Sequence, residues 1–226
     1  MSNTHEQLKH IAFIMDGNRR WAKQRLMPAA MGHAEGAKTL KKIAKAVKAR
    51  NIRYMTVYAL STENLNRSKE ELDYLFSLFG KLVDQFDDLI KEDVCLKILG
   101  NMTLLPKDLA TTLKQLEADT AHHKTMTLSL AIAYGGRDEI VRAVREMEDS
   151  RNATEETLEA HLDMHDIPDV DVIVRTGGHH RLSNFLMWKS AYAELIFTDT
   201  YWPAFDEKEL DEILAWYEGQ MRNFGK

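Results

Sequence analysis

Six short apolar runs, several rich in β-branched residues, alternate along the chain with stretches of helical periodicity, and this alternation most limits the possible folds. Neighbouring parallel strands need a crossover between them, and a helix is the usual one. The strand-like runs fall at residues 10–15, 54–58, 94–99, 126–133, 170–174 and 194–197. Helical patterns fall at 34–50, 69–92, 107–121, 137–148, 155–165 and 207–223. An α/β fold is predicted, with a mostly parallel six-stranded sheet covered by helices. The 226 residues suit one large domain, and no repeat, low-complexity tract or Pro/Gly/Ser linker divides residues 1–226.

Hydrophobic residues make up 44% of the chain, enough for a real core. The formal net charge of −5 repels a polyanion, which argues against a nucleic-acid partner but leaves room for a local basic pocket. The single cysteine, Cys95, permits no internal disulfide, in keeping with a reducing cytoplasm. Its Val94-Cys95-Leu96 setting is that of a small buried side chain. The first nine residues are polar, and no apolar run nears the ~20 residues that span a bilayer. The expectation is a cytoplasmic protein with at most a loose membrane association, meeting any lipid substrate from the aqueous side.

Residues 69–92 carry the clearest helical signal. Ser68 and Glu71 have the S-x-x-E spacing of a capping box, in which each side chain satisfies a free amide. Leu72, Leu75, Phe76, Phe79, Leu82, Val83, Phe86, Leu89 and Ile90 follow at helical spacing. A plain amphipathic helix on the sheet accounts for this stripe. Its length also fits the wall of an elongated apolar tunnel.

Ligands of open α/β sheets bind at the carboxyl ends of strands, so the polar loops there matter most. The first strand runs into Asp16-Gly17-Asn18-Arg19-Arg20-Trp21, with a hard oxygen donor suited to Mg²⁺ and two forked cations suited to phosphate. A surface turn with a salt bridge is the competing reading of this hexapeptide. The second ends in Ser61-Thr62-Glu63-Asn64-Leu65-Asn66-Arg67, partly explained by helix capping. Tyr134-Gly135-Gly136-Arg137 reads as a tight left-handed turn into a helix. Arg175-Thr176-Gly177-Gly178-His179-His180-Arg181-Leu182-Ser183-Asn184 resembles an anion cradle, and its paired histidines lack the further ligands of a zinc site. Glu194 opens an apolar strand, where a carboxylate needs either an arginine or a metal. Arginines in three such loops, with two carboxylates, suit a diphosphate substrate. Neither a G-x-x-x-x-G-K-[ST] nor a G-x-G-x-x-G loop is present.

The segments HIAFIMDGNRRWAK, GHAEGAK, YALSTENLNRSKEE, AYGGRDEIVRAV, DVIVRTGGHHRLSNFLMW and AYAELIFTDTYWPAF resemble the cis-prenyltransferase family, to which bacterial undecaprenyl diphosphate synthases belong. The resemblance runs from residue 10 to about residue 224. It implies a Mg²⁺-dependent homodimer with an elongated apolar tunnel in each subunit. Such an enzyme condenses isopentenyl diphosphate with an allylic prenyl diphosphate and delivers a longer Z-prenyl diphosphate, such as undecaprenyl diphosphate, to the membrane.

By the same resemblance, Asp16 engages Mg²⁺ and the allylic diphosphate, with Gly17, Asn18, Arg19, Arg20, Trp21 and His33 around that site. Arg175, Arg181, Leu182 and Ser183 hold isopentenyl diphosphate. Asn64 assists proton removal, flanked by Ser61, Thr62, Glu63, Leu65 and Arg67. Glu194 is a second Mg²⁺ ligand acting across the dimer interface, with His180 an accessory. Ala29 departs from the pattern where a diphosphate-binding arginine is expected, as do Leu60 and Leu65 where aromatic residues are common, and Ser129 and His179. Other relatives are non-catalytic partner subunits, and others join two allylic diphosphates in a branched condensation. Retention of Asp16, Asn64, Arg175, Arg181 and Glu194 favours catalysis, and the intact third cluster favours chain extension. Outside the family, a phosphate-binding regulatory domain would account for the arginines but not the apolar stripe.

Overall fold

The computed structural model describes residues 8–220, apart from the side chains of residues 82–85. Leu82 and Val83 of the apolar stripe, the N-terminal stretch 1–7 and the end of the last predicted helix at 221–223 lie outside the described residues. The strands are β1 (His10–Ile14), β2 (Tyr54–Ser61), β3 (Val94–Leu99), β4 (Met126–Tyr134), β5 (Val172–Arg175) and β6 (Glu194–Phe197). They form one sheet in the order β3-β4-β2-β1-β5-β6, with every neighbouring pair parallel. The helices are α1 (Asn18–Gln24), α2 (Ala29–Ala49), α3 (Lys69–Gly80), α4 (Leu82–Lys91), α5 (Lys107–Thr120), α6 (Gly136–Glu146), α7 (Glu155–Glu159) and α8 (Glu207–Glu218).

Both faces of the interior strands are covered, one mainly by helices and the other by the non-helical segments around 164–170 and 182–186, which is why HIAFI of β1 is buried at every position. Alternate residues serve opposite faces. Ile11, Phe13, Met55, Val57 and Leu130 pack with Ile43 and Val47 of α2 and Leu113 of α5. Ala12, Ile14, Ala131 and Ile173 pack with Met164 and Phe185 on the other side. Each large apolar side chain so buried contributes roughly 1.5–3 kcal/mol. His10 is the polar exception on β1. Its Nδ1 lies 2.9 Å from the Pro168 carbonyl oxygen and its Nε2 2.8 Å from Thr56 Oγ1. Burial, outweighing the Pro168 hydrogen bond, pushes this ring down to a pKa of about 4, so it stays neutral.

Several local expectations need correction. The helix predicted over 155–165 ends as α7 at Glu159, and Cys95 is partly exposed. The helix predicted over 69–92 is two helices, α3 and α4, broken at Gly80-Lys81. Glycine is a poor helix former, and the Lys81 amide is shared between the Ser77 and Leu78 carbonyls as the turn tightens. The break lets α3 pack on α2 and α5 while α4 packs on β3. The Ser68–Glu71 box closes on one side only. Ser68 Oγ accepts the Glu71 amide (3.3 Å), but the Glu71 carboxylate turns to Arg67. The loop after β1 is not loop throughout, because α1 follows Gly17, and α2 starts at Ala29, earlier than predicted. Gly32 and Gly36, one turn apart on α2, admit Asn18: a Cβ at either would overlap the Asn18 carbonyl or side-chain oxygen. Last, Tyr134-Gly135-Gly136 is not a left-handed turn. Gly135 is extended (φ −157°), and the glycine is required for space, since a Cβ there would sit 2.6 Å from Thr62 Oγ1.

The connections place the site. From β1 the chain goes to β2 on one side, while β5 and β6 are added on the other. The carboxyl ends of β1 and β5 therefore border a switch point, the usual ligand position in such sheets.

Candidate active site

Asp16 lies two residues beyond β1, Arg175 is the last residue of β5 and Ser61 the last of β2. Gly17, directly after Asp16, has φ +103°, which only glycine adopts readily, and a Cβ there would lie 2.6 Å from Tyr201 Cδ1. Arg175 Nη2 donates to Asp16 Oδ2 (2.9 Å), while Arg20 Nη2 (3.2 Å) and the Gly17 amide (2.6 Å) donate to Oδ1. Burial alone would raise the Asp16 pKa. The Arg175 hydrogen bond and charge, then Arg20 and the Gly17 amide, outweigh it and hold the carboxyl below the usual range.

The same Arg175 reaches the opposite way. Its Nη1 donates to the Arg181 carbonyl (2.5 Å) and to Ser183 Oγ (2.8 Å), and Arg181 Nε also donates to that hydroxyl (3.2 Å). Arg175 thus ties the Asp16 loop to the Arg181–Ser183 loop. Its Nε is buried with no partner among the described residues, a charged donor whose satisfaction by a ligand oxygen would be worth on the order of 1–3 kcal/mol.

A second cluster surrounds Glu71 in the first turn of α3. Arg67 donates to it at 3.0 Å, Arg19 lies at 3.7 Å and His33 Nε2 at 3.9 Å. Burial and the Arg67 charge, outweighing Glu71, push His33 down to a pKa of about 4. The ring is therefore neutral, and at 3.9 Å it forms neither a hydrogen bond nor an ion pair with Glu71. Near this cluster, Ser61 Oγ accepts from both the Asn64 amide (3.1 Å) and Asn64 Nδ2 (2.6 Å), leaving Oδ1 as the side chain's other polar end.

These groups share one cavity of about 890 Å³. Its polar part includes Asp16, Gly17, Asn18, Arg19, Arg20, His33, Ser61, Asn64, Arg67, Arg175, Arg181 and Ser183. Its apolar part runs over Leu40 of α2, Leu75, Leu78 and Phe79 of α3, and Leu130 of β4. Part of the apolar stripe therefore lines the cavity, while Phe76 packs against the main core and Phe86 and Leu89 are buried within it.

The remaining sequence-predicted residues lie elsewhere. Trp21 is covered by the Arg25 guanidinium, 4.1 Å from its ring, and Leu65 packs against the core. Thr62 Oγ1 donates to Glu63 Oε2 (3.2 Å). Glu63 and Leu182 border a smaller cavity of about 380 Å³ with Ser183 and Asn184. Glu194 begins the edge strand β6 opposite Val172, outside the main cavity. His180 stacks on Phe197, with ring centroids 4.9 Å apart.

Sequence reasoning missed Lys23, Leu26, Met27, Tyr58 and Trp202, which also line the cavity. Arg19 and Lys23 lie one turn apart on α1, in a segment read as a polar loop. It places Asn184 at the end of the third cluster but gives it no role of its own. The Asn184 carbonyl accepts from the Gly136 amide (2.7 Å), its Oδ1 from the Arg137 amide (2.9 Å), and its Nδ2 donates to Glu63 Oε1 (2.9 Å). One side chain so fastens the loops after β2, β4 and β5.

No group of three or more His, Cys, Asp or Glu able to hold a metal occurs among the described residues. The donor set is instead one ionised carboxylate, Asp16, among arginines. That suits Mg²⁺, which is commonly held by one or two carboxylates plus substrate phosphates and water.

A cation-rich cradle at the strand ends, opening onto an apolar cavity, has the chemistry to receive an amphiphile with an anionic head and an apolar chain. The family model described as "Putative undecaprenyl diphosphate synthase" matches residues 14–225, and the chain belongs to that family. It is 43% identical over 221 residues to an isoprenyl transferase of Neisseria meningitidis serogroup B, covering 96% of this chain and 89% of the relative. An isoprenyl transferase of Fusobacterium nucleatum is 42% identical, with 96% and 95% covered. Among solved structures, lavandulyl diphosphate synthase from Lavandula x intermedia, in complex with dimethylallyl diphosphate, superposes with a TM-score of 0.90 at 32% identity, covering 97% of this chain and 99% of that one. A probable undecaprenyl diphosphate synthase from Campylobacter jejuni gives a TM-score of 0.84 at 34% identity, with 98% and 100% covered.

Proposed function

We propose that the protein is a cis-prenyltransferase that extends an allylic prenyl diphosphate with isopentenyl diphosphate to give a longer Z-prenyl diphosphate. The observation that carries this reading is the single cavity joining the Asp16–Arg175 cradle to the apolar wall of α2 and α3, in a chain whose relatives are isoprenyl transferases. Arg20, with Arg19 and His33 nearby, binds the allylic diphosphate, and its hydrocarbon lies along Leu40, Leu75 and Phe79. Arg181 and Ser183 bind isopentenyl diphosphate. Arg175, touching both loops, holds the two heads side by side, so the reacting carbons meet without further loss of orientational freedom.

Asp16 would hold Mg²⁺ together with a diphosphate, and Glu194 would join from the partner subunit of a homodimer. Mg²⁺ bound there would neutralise charge on the departing diphosphate. Arg175 and Arg20 stabilise the same charge through fixed donors. The allylic carbon–oxygen bond breaks, the isopentenyl double bond forms the new carbon–carbon bond, and a proton leaves the isopentenyl unit. Asn64, held by Ser61, positions the diphosphate oxygen or water that takes this proton, since an amide is itself too weak a base. The product we assign is a long polyprenyl diphosphate, such as undecaprenyl diphosphate, passed to a membrane. Among the described residues, no helix is long and apolar enough to cross one.

Incubation with labelled isopentenyl diphosphate, Mg²⁺ and allylic primers of increasing length tests the reading. A ladder of extended products supports it. Products from two allylic diphosphates alone would assign branched condensation instead. No product under any condition, in a chain that still binds the substrates, would point to a non-catalytic partner subunit.

A further inference from the structure

We propose that the corner between α1 and α2 is a docking surface for an anionic lipid bilayer, resting on the reading that the cavity holds a growing prenyl chain. Between Gly17 and Ala34 stand four cationic residues, Arg19, Arg20, Lys23 and Arg25, and no acidic one, in a chain of net charge −5. Arg20 is paired with Asp16 and Arg19 lies 3.7 Å from Glu71, whereas Lys23 and Arg25 have no carboxylate partner among the described residues and are complementary to anionic headgroups. The apolar side chains at this corner face water. Leu26 is 97% exposed, Met31 50% and Met27 42%. The turn that presents Leu26 is fixed by its hydrogen bonds, with the Arg25 and Met27 amides both donating to the Ala22 carbonyl at 3.0 Å. Leu26 itself has φ +56°, a conformation seldom used by a branched apolar residue. A tightly bonded turn therefore holds its largest apolar side chain outward.

Two further facts select the occupant. Leu26 and Met27 also line the main cavity, so the exposed apolar rim is continuous with the surface assigned to the prenyl chain. A product of several isoprene units leaving through this rim into water would expose its whole hydrocarbon surface. Leaving into a bilayer, it would not. Val141 and Val144 on α6, also exposed, lack this setting, since they sit among Asp138, Glu146, Arg142 and Arg145, charges of both signs. A rim that combines cations with outward apolar side chains is the arrangement by which peripheral proteins bind anionic interfaces.

The full chain should be sedimented with vesicles of equal parts phosphatidylglycerol and phosphatidylcholine, and with pure phosphatidylcholine. The proposal predicts binding to the anionic vesicles at least about tenfold tighter, weakened by added salt. Arg25→Gln should weaken it about fivefold, the usual effect of one juxtamembrane cation. Met31→Gln and Leu26→Gln should weaken it further, and Val141→Gln should leave it unchanged. Arg25 and Met31 lie outside the cavity, so Arg25→Gln and Met31→Gln should extend short primers in detergent as the wild type does. Absent sedimentation, equal sedimentation of all variants, or a change of oligomeric state in Met31→Gln by light scattering would each overturn the proposal; the last would assign the corner to a second copy of the chain. Vesicle binding that follows this pattern in a protein unable to extend primers would uphold the surface while sinking the reading of the cavity.

Discussion

Asp16 and Glu194 are the two carboxylates that the resemblance assigns to a metal, and the fold treats them in opposite ways. Asp16 follows a central strand, lies in the cavity and is clamped by Arg175 and Arg20. Glu194 opens the edge strand β6, outside the cavity, beside a Leu195 that is 42% exposed. An interior strand is flanked on both sides, so its loop is brought against its neighbours' loops. An edge strand keeps one open side, where a second chain can add. The contrast teaches that one chain preassembles the arginine–carboxylate cradle but contributes Glu194 at its boundary, as the proposed homodimer requires.

The comparison breaks most visibly at Asp16. Asp16→Ala should lose at least ~100-fold in kcat, by losing metal-assisted leaving-group stabilisation and leaving Arg175 without its counter-charge. Glu194→Gln should also be severely impaired, and mixing sharpens the point. Refolding Asp16→Ala and Glu194→Gln chains together should recover about a quarter of wild-type activity, because half the dimers are mixed and each mixed dimer holds one intact shared site. No recovery would place Glu194 in the site of its own chain, and unimpaired Glu194→Gln would remove it from the site altogether. A smaller effect is expected from Asn184→Ala, which cuts two side-chain hydrogen bonds between the loops, each worth about 1 kcal/mol. Roughly tenfold loss in kcat/KM should follow beside a fall of about 2 kcal/mol in urea stability, and an unchanged kcat/KM would leave the residue a purely structural tie.

The smallest effect is on pH dependence. Below pH 6.5 the unfolded chain takes up protons that folded His10 and His33, both near pKa 4, refuse, so stability falls as pH drops from 6.5 towards 4. Glu139 acts oppositely. Burial, opposed by its hydrogen bond from Tyr134 but aided by the Asp163 charge, raises it from 4.5 to about 7. The fold keeps a proton that the unfolded chain releases, so this contribution fades as pH rises from 4.5 to 7. Glu139→Gln should therefore steepen the gain in stability between pH 5 and 6.5 by about 1.4 kcal/mol per pH unit. Urea midpoints at those two pH values check it.

The sheet was legible because burial on both faces demands continuous apolar runs, and all six strands fall within the runs marked for them or extend them by one to three residues. Asp16, Arg175 and Ser183 were legible because charged and hydroxyl side chains directly after apolar strands stand where a sheet of this kind meets its ligand. α1 was not, since seven residues rich in arginine have too little apolar periodicity to announce a helix. The break after Gly80 was hidden by an apolar stripe that continues across it. The role of Asn184 was invisible for a different reason: its partners Glu63, Gly136 and Arg137 are distant in sequence and meet only in the folded sheet. Sequence reading also divides the arginines between two separate diphosphate sites, whereas Arg175 bonds to both loops.

That shared arginine is the point at which the account is most directly tested. Steady-state titration of both substrates should be run on Arg20→Ala, Arg181→Ala and Arg175→Ala. Each lost charge-assisted phosphate contact is worth roughly 1.5–3 kcal/mol, or about 10- to 150-fold. Arg20→Ala should raise the KM for the allylic primer, Arg181→Ala that for isopentenyl diphosphate, and Arg175→Ala both, with the largest fall in kcat of the three. Arg175→Ala raising one KM alone, or all three variants raising both equally, would contradict a cradle built around Arg175.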